Sequence, residues 1–584
     1  MEISAAIYRC LLLLLLCSNC RGCMDEEWNA LQQIKSSINN PIGTAFSNWY
    51  GKDCCRWEGV KCNVSTNRVS TIYIIQKRDP SLEESWYPNA SLFAQFDYLK
   101  ELKLSGNNIG GFTSPHGRVP LSIFANLSRL NNLDISRNSH LEIQPEAESP
   151  SWFPSFSLNG LKLGGCNLKS IPSFISQQQN LRFLDLSNNS LSGPFPEILY
   201  NISSQLTALD ISDNFLHGEL PDDVGRIFPQ LHYLNVSFNN FNGKLPPSMD
   251  KMNQLVTLDM SDNEFLGEIP HGMTSNGSCL EYLRLSRNKL RGDALPQNSS
   301  LPNLKWLYLH NNEFSGTFPA SLSKSMNLLI VDIQNNDLSG ELISDFPALP
   351  QLRALLLGGG NRFEGPIPHQ LCQMRHLHNL DLSGNNLSGE LPTCLDNITS
   401  WTEDLEFEGT FEFRMTFEMV LKGFLLSWKR VYSYLRLLDI SSNRLEGTIP
   451  IEMTHLISLR GLNISNNLLT GEIPISFGNL TTLESLDLSH NKLVGKLPSE
   501  LTHLMMLSSF NVSFNNLSGP IPQGNQIDTF VNDSYLGNPC LCGRPLSRSC
   551  NIVETAKTSG CFFSNMATVY ALLFWGVSFL VCSV

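Results

Sequence analysis

The chain has 584 residues, a formal charge of −13 and a hydrophobic fraction of 42%. Its acidic balance is spread along the chain without a basic patch, which argues against nucleic acid as a partner. A globular chain of this length predicts several domains, but the internal repeat described below adds length without adding domains.

The first 22 residues are typical of a signal peptide. An apolar run, Leu11 to Leu16, follows Arg9, and Gly22 is a small residue at which cleavage can end. The run is too short to span a bilayer. The mature chain is therefore expected outside the cell, in an oxidising compartment.

Residues 23–75 are predicted to cap the first repeat. Leu31, Ile34 and Ile38 share one face of a helix. We expect the first of four nearby cysteines to pair with the second and the third with the fourth, although three connectivities are possible. A zinc site is the alternative. The four cysteines are Cys23, Cys54, Cys55 and Cys62.

From residue 76 the pattern LxxLxLxxNxLxGxxP recurs about every 24 residues. Its strand leucines point inward, and its Asn can bond backbone groups of adjacent turns in a ladder. This is the leucine-rich repeat, and it predicts an α/β repeat solenoid. About twelve repeats cover 76–396 and four cover 435–530. The ladder positions are Asn107, Asn138, Cys166, Asn189, Asn214, Asn239, Asn263, Asn288, Asn312, Asn336, Asn361, Asn385, Asn443, Asn467, Asn491 and Asn515.

The N-terminal helix, the motif CCRWEGVKC and repeats of the form NxLxGxIP resemble the extracellular domains of plant leucine-rich-repeat receptors. The Gly-x-Ile-Pro tail occurs at 267–270, 365–368, 447–450, 471–474 and 519–522. In that family the tail adds a second strand to each repeat and twists the horseshoe into a superhelix. The resemblance covers nearly the whole chain.

Residues 397–434 interrupt the repeats as an island. Aromatic and charged residues alternate there, which predicts a hairpin or an extended arm. An island followed by four repeats and the terminal motif GNPCLCGRPLSRSC resembles plant receptor-like proteins, the receptors that lack a kinase. The family often has a Lys-Gly pair in the island, which Lys422 and Gly423 match. Phe413 and Trp428 stand at flanking positions where tyrosine is commoner.

Further cysteines predict a clip and a cap. Cys372 and Cys394 lie at similar offsets in consecutive repeats, within reach of a disulfide. Residues 531–560 form the expected C-terminal cap and juxtamembrane segment, closed by Cys542 and Cys550, with Cys540 left over. Two more, Cys166 and Cys279, are expected to be buried free thiols.

Residues 562–584 carry no charge and are long enough to cross a bilayer. This predicts a single-pass plasma-membrane protein with its N-terminus outside the cell. No Lys/Arg cluster follows to mark a cytoplasmic side, whereas the family normally has a short basic tail, so the tail is expected to be missing. A lipid-anchor signal near Ser559 and Gly560 is the alternative.

Sequons are frequent, and a secreted chain is expected to carry glycans on many of them. Three, at Asn235, Asn463 and Asn511, fall on predicted concave strands. The sequons are Asn63, Asn89, Asn126, Asn188, Asn201, Asn235, Asn276, Asn298, Asn386, Asn397, Asn463, Asn479, Asn511, Asn516 and Asn532.

No hydrolase, phosphate-loop or kinase signature occurs in the sequence, so an enzyme is disfavoured and no cofactor is expected. Concave faces of solenoids bind ligands. The exposed position between the two inward leucines is usually Asp or Asn. Residues that depart from this default predict a ligand-binding patch, because Arg, Trp and Tyr are the residues enriched in binding hot spots. The alternative is sequence drift at a surface without function. The patch comprises Arg284, Arg287, Trp306, Tyr308 and His310.

Two functions remain open. The first is a receptor-like protein that binds an extracellular peptide or microbial fragment. The resemblance implies that such a receptor signals through a receptor kinase with leucine-rich repeats, in defence or development. The second is a secreted inhibitor of cell-wall-degrading enzymes, and a truncated decoy receptor is a further possibility.

Overall fold

The computed structural model describes residues 23–38, 46–114, 117–119, 121–141, 154–275, 277–342, 349–403, 417–421, 424–428 and 435–550. The chain divides into two compact units, residues 1–290 and 291–584. The predicted signal peptide and the predicted membrane span at 562–584 lie outside the described residues, as do Phe413, Lys422 and Gly423. No helix within the described ranges is long and apolar enough to cross a membrane.

The first unit contains helices α1 (Asp25–Ile38) and α2 (Val224–Ile227). Its 3₁₀ helices are Cys54–Arg56, Ala90–Gln95, Leu121–Phe124, Ser173–Gln177, Glu197–Gln205, Pro247–Lys251 and His271–Thr274. Its strands are β1 (Val60–Cys62), β2 (Val69–Tyr73), β3 (Glu101–Lys103), β4 (Phe112–Ser114), β5 (Gly117–Val119), β6 (Asn132–Asp134), β7 (Gly160–Lys162), β8 (Phe183–Asp185), β9 (Ser192–Gly193), β10 (Ala208–Asp210), β11 (Phe215–Glu219), β12 (Tyr233–Asn235), β13 (Asn240–Asn242), β14 (Thr257–Asp259), β15 (Leu266–Gly267) and β16 (Tyr282–Arg284). Strand β17 (Lys289–Asp293) crosses the boundary in sequence.

The second unit contains helix α3 (Thr399–Thr402) and the 3₁₀ helices Ala320–Lys324, His369–Gln373, Thr393–Asn397, Ile451–His455, Ile475–Asn479, Ser499–His503, Asn525–Thr529 and Asn532–Ser534. Its strands are β18 (Trp306–Tyr308), β19 (Glu313–Ser315), β20 (Ile330–Asp332), β21 (Ser339–Glu341), β22 (Ala354–Leu356), β23 (Arg362–Gly365), β24 (Asn379–Asp381), β25 (Asn386–Glu390), β26 (Phe417–Leu421), β27 (Phe424–Trp428), β28 (Leu437–Asp439), β29 (Arg444–Glu446), β30 (Gly461–Asn463), β31 (Ser485–Asp487), β32 (Ser509–Asn511), β33 (Ser518–Pro520) and β34 (Cys540–Cys542).

One parallel sheet runs through the repeats of each unit. In the first unit β2, β3, β6, β7, β8, β10, β12, β14 and β16 pair in that order, and β1 joins β2 antiparallel. In the second unit the order is β18, β20, β22, β24, β28, β30, β31 and β32. The second strands of the repeats also pair in parallel, for example β11 with β9 and β13. The second strand that the resemblance implied is therefore present.

The repeat asparagines form the ladder that the sequence predicts. Asn239 is buried, and its side-chain nitrogen donates to the carbonyls of Ile211 at 3.0 Å, Val236 at 3.2 Å and Ser237 at 3.2 Å. Its side-chain oxygen accepts from the Leu216 N–H at 3.0 Å. One amide thus satisfies backbone groups of two turns that water cannot reach.

Two ladder positions depart from the simple pattern. At Cys166 the buried free thiol donates to the Ile135 carbonyl at 3.2 Å, and burial raises its pKa to about 12. The thiol therefore replaces the amide donor of the usual Asn. The ladder also extends one position beyond the last predicted rung, because the Asn538 side chain donates to the Val512 carbonyl at 2.9 Å and accepts from the Leu517 N–H at 3.1 Å.

The N-terminal helix closes the first unit. Leu31, Ile34 and Ile38 on α1 are fully buried, as their spacing predicts. Glu27 on the same helix is also fully buried and accepts a hydrogen bond from Arg68 Nε at 2.8 Å. Beside them the rings of Trp49 and Trp57 stack at 5.2 Å. The cap thus covers the end of the core with both apolar and charged contacts.

Disulfides join Cys23 to Cys54, Cys55 to Cys62, Cys372 to Cys394 and Cys542 to Cys550. These are the pairs expected from the sequence. Although Cys54, Cys55 and Cys62 cluster closely enough to hold a metal, their sulfurs are bonded in disulfides, so they cannot serve as the thiolate ligands of a zinc site.

Two expectations about single cysteines, Cys540 and Cys279, are wrong. Cys540, which was expected to be left over, is disulfide-bonded. Cys279, which was expected to be buried, is a half-buried free thiol, since it lies in the irregular stretch just before β16 rather than on an inward repeat position.

The island interrupts the sequence of the second unit without interrupting its sheet. Strands β24 and β28 flank the island and are neighbours, with Asn379 aligned with Leu437 and Asp381 with Asp439. Within the island β26 and β27 form the predicted antiparallel hairpin, in which Phe417 aligns with Trp428. On the N-terminal side, the buried Trp401 donates from Nε1 to the His378 carbonyl at 3.0 Å.

Candidate ligand-binding face

Strand alternation sets the candidate face in each unit. In the three-residue strands that pair in parallel in the main sheet of each unit, the middle residue points into the core, as Leu209 does in β10 and Leu355 does in β22. The first and third residues point to the opposite side of the sheet. These two positions form a surface that carries none of the leucine framework, and we call it the strand face of that unit.

On the strand face of the first unit, the third strand position has a structural task. Asp210 Oδ1 accepts from the backbone N–H of Ser212 at 3.1 Å and from its hydroxyl at 2.6 Å. The same pair of bonds links Asp185 with Ser187 and Asp259 with Ser261. The recurrent Asp therefore closes the turn after each strand, which explains why it is the default residue.

Arg284 and Arg287 lie in the first unit and belong to a charge network there. Arg284 lies 3.8 Å from Asp259 and 3.9 Å from Asp262, and its side chain is only 16% exposed. Arg287 lies 3.7 Å from Asp262 and is 41% exposed. Arg287 is thus accessible to a ligand, whereas Arg284 is largely engaged within the sheet.

The exposure expected for three aromatic and histidine positions is wrong. In the second unit Trp306, Tyr308 and His310 are 5%, 1% and 6% exposed. Trp306 aligns with Ile330 on the next strand, and His310 Nδ1 lies 2.8 Å from the buried Asp332 Oδ2. Apolar residues on consecutive strands and this polar contact hold the three side chains inside the fold.

The burial extends beyond those residues. In β18, β20, β22, β24 and β28 all three residues are buried, whereas in β8, β10, β12, β14 and β16 the outer two are half-buried. A scan of the third strand position alone misses most of this surface. A scan of the first position would have found Ile330 and Ala354, which accompany Trp306.

Polar groups are buried on the same strand face. Among the described residues, the side-chain amide of Asn379 has no hydrogen-bond partner although the residue is 0% exposed. Burial, together with the nearby Arg353 and Arg436, lowers the pKa of His378 to about 3. Burial raises the pKa of Asp381 to about 7, and the carboxyl group of Asp439, which is aligned with Asp381 on β28, adds to the increase.

The raised pKa of Asp381 predicts a pH dependence of stability. Between about pH 4 and pH 7 the unfolded chain releases the Asp381 proton while the folded chain keeps it, so this group makes folding less favourable as pH rises. Asp381→Asn is expected to flatten that part of the curve. Urea unfolding from pH 4 to pH 8 checks this, with Asp487→Asn, at the same position of β31, as the control. Equal slopes for wild type and Asp381→Asn would contradict the assignment.

Family models match much of the array. The "Leucine rich repeat N-terminal domain" model matches residues 24–63, and a "Leucine Rich repeat" model matches 98–111. The "Leucine Rich Repeat" model matches 180–202, 230–252, 254–276, 303–325, 376–398, 434–456, 458–480 and 482–504.

Curated relatives match shorter stretches. The chain is 36% identical to Cuscuta receptor 1 of Solanum lycopersicum over 149 residues, which is 24% of this chain and 13% of that protein. It is 31% identical to Receptor-like protein 9a of Arabidopsis thaliana over 179 residues, which is 30% of this chain and 18% of that protein. The matches therefore span less than a fifth of the length of either relative.

A solved structure matches most of the chain. The leucine-rich-repeat ectodomain of the Arabidopsis receptor kinase HAESA, in complex with an IDA peptide hormone ligand, is 25% identical with a TM-score of 0.54. The match covers 90% of this chain and 99% of that one. It supports the ectodomain solenoid fold that the repeat pattern predicts.

Proposed function

The chain belongs to the leucine-rich-repeat receptor-like proteins of plants, and from this premise we propose that it is a plasma-membrane receptor for an extracellular peptide or microbial fragment. The observation that carries the proposal is the strand face of the first unit, where the outer residues of β8, β10, β12, β14 and β16 are half-buried and lie outside the leucine and asparagine framework. The HAESA ectodomain, to which the chain is similar, was solved with a peptide hormone bound.

We propose that signalling passes through a second chain, a receptor kinase in the same membrane, in defence or development. The 584 residues contain no kinase signature. Two proteins held in one membrane have a high effective concentration, so a weak contact between them suffices. The proposed membrane anchor is residues 562–584, and the proposed topology places the N-terminus outside the cell.

The exposure of each side chain decides whether it can contact a ligand directly. Arg287 is available at the surface of the first unit. Trp306, Tyr308 and His310 would contact a ligand only after a rearrangement of the second unit, because they are buried. The proposed ligand contacts of the island remain Phe413, Lys422, Gly423 and Trp428. Of these four, only Trp428 lies within the described residues, and only its backbone is described.

Glycosylation is proposed at the sequons outside the strand faces. The side-chain nitrogens of Asn235, Asn463 and Asn511 donate to the Asp of the preceding strand at 3.3, 3.0 and 3.4 Å. A glycan on any of the three would replace a hydrogen atom of an amide already engaged in the sheet. We therefore propose that these three positions stay unmodified.

Membrane partition tests the receptor proposal. The full chain, tagged beside Glu554 and expressed in plant cells, is expected to stay in membranes after washing at high pH and after phospholipase treatment. Release by the phospholipase would indicate a lipid anchor instead. Recovery in the wall fluid would contradict the receptor and favour a secreted inhibitor of cell-wall-degrading enzymes or a decoy.

A further inference from the structure

Aromatic residues recur on alternate strands of the first unit. Phe183, Tyr233 and Tyr282 occupy the first position of β8, β12 and β16, and all three are half-buried. The intervening strands carry the small Ala208 and Thr257 at the same position. The register is continuous, since Ala208 aligns with Phe183 and Tyr233, and Thr257 with Tyr233 and Tyr282. We call these three side chains the aromatic row.

The spacing of the aromatic row limits what can lie along it. Neighbouring strands are about 4.8 Å apart, so a ring recurs roughly every 9.6 Å. An extended β-strand peptide presents side chains on one side about every 6.7 Å and falls out of step with the rings. A polyproline II helix presents one side every three residues, or about 9.3 Å, and stays in step over the whole row.

Polar groups beside the aromatic row suit the same ligand. Asp210 Oδ2 accepts from the Tyr233 hydroxyl at 3.0 Å and from Asn235 Nδ2 at 3.3 Å. With Asp185 and Asp259 on the neighbouring strands, Asp210 and Asn235 form a mainly acidic line at the third strand position, two residues along the strand from the position that the rings occupy. Such a line of carboxyl groups attracts the cationic side chains of a ligand.

Cations mark both ends of the line. Lys162 Nζ lies 4.9 Å from the centre of the Phe183 ring, and Arg284 lies 3.8 Å from Asp259 Oδ2. The acidic stretch between them covers β8 to β14. A ligand that is basic in its middle therefore matches the charges of this surface better than an acidic one.

We propose that the aromatic row binds a proline-rich, basic peptide segment in the polyproline II conformation, with prolines packed on the rings and Lys or Arg beside the acidic line. Aromatic surfaces recognise such segments because the ligand is already ordered and loses little entropy on binding. The row spans four strand intervals, about 19 Å, which corresponds to roughly seven residues of ligand. This inference rests on the proposed function only in assuming an extracellular ligand.

The test uses the purified full-length chain and two synthetic peptides of equal charge, (Pro-Pro-Lys)3 and (Gly-Ser-Lys)3. The first is expected to bind at least tenfold more tightly, as measured by thermophoresis. Phe183→Ala, Tyr233→Ala and Tyr282→Ala are each expected to weaken binding roughly threefold to tenfold, the range of a single aromatic contact. The matched control is Phe215→Ala, which removes a 59%-exposed ring from β11, outside the row.

A second variant separates binding from folding. Ala208→Leu keeps all three rings and fills the gap between two of them, so it is expected to weaken (Pro-Pro-Lys)3 binding while the thermal midpoint stays near that of wild type. Equal affinity for both peptides, or binding unaffected by all four changes in the row, would overturn the inference.

Binding of cellohexaose that depends on the same rings, without binding of (Pro-Pro-Lys)3, would overturn the inference as well and assign the face to a neutral glycan. Each of these results is independent of membrane partition, so a failure here is distinguishable from failure of the receptor proposal.

Discussion

Asn239→Ala is expected to lower the free energy of unfolding by about 3–5 kcal/mol, because it leaves buried backbone groups without partners. The Asn239 side chain bonds three carbonyls and one N–H from two adjacent turns. Alanine can replace none of these bonds, and the site is closed to water. Urea unfolding of the purified chain, followed by circular dichroism, measures the change.

The control for this experiment is Asn240→Ala, which removes an exposed amide from the adjacent residue of β13. It is expected to change the unfolding free energy by less than about 0.5 kcal/mol. If both variants unfold at the same urea concentration, the ladder does not stabilise the array in the way proposed.

Glu27→Ala is expected to destabilise the N-terminal cap by about 3 kcal/mol, the lower range for breaking a buried ion pair. Glu27 is 0% exposed and accepts from Arg68 Nε at 2.8 Å and from the Val69 N–H at 3.2 Å. Its loss leaves that N–H and the Nε–H of Arg68 without their acceptor beside the first strands. Hydrogen exchange at β1 and β2 is expected to speed up together.

Glu26→Ala is the matched control, since it removes the same charge from an exposed position of the same helix. It is expected to leave exchange in β1 and β2 unchanged. An effect of Glu26→Ala equal to that of Glu27→Ala would assign the loss to net charge rather than to the buried pair.

The sequence predicts the repeating part of the fold because each repeat position performs one local task. Inward leucines, the ladder asparagine and the Gly at the second strand recur at fixed spacing, so strands such as β10 and β30 follow from the pattern alone. The cysteine spacing likewise predicts the Cys372–Cys394 clip. Asn538 was missed because its repeat lacks the leucine pattern and only the spacing from Asn515 indicates a rung.

The candidate site was harder to predict, because exposure depends on what neighbouring strands present. Tyr308 departs from the Asp default, but its neighbours Ile330, Ala354 and Leu356 are also apolar, and the whole group is buried. Conversely, the rings of the aromatic row occupy first strand positions, which a scan of third positions does not read; the third positions of the same strands are Asp185, Asn235 and Arg284, of which only Arg284 departs from the default. Reading both outward positions across several strands is needed to find either surface.

The most direct test of a receptor that signals through a partner kinase is a kinase assay on the isolated complex. The tagged full chain is precipitated from detergent-solubilised plant membranes and incubated with labelled ATP, beside an unrelated membrane protein with the same tag. If the chain signals through a partner kinase, we expect more phosphate to be transferred from ATP in its precipitate than in the precipitate of the control protein. Recovery of the chain from membranes without kinase activity above the control, even after cell-wall and microbial extracts are added, would contradict it.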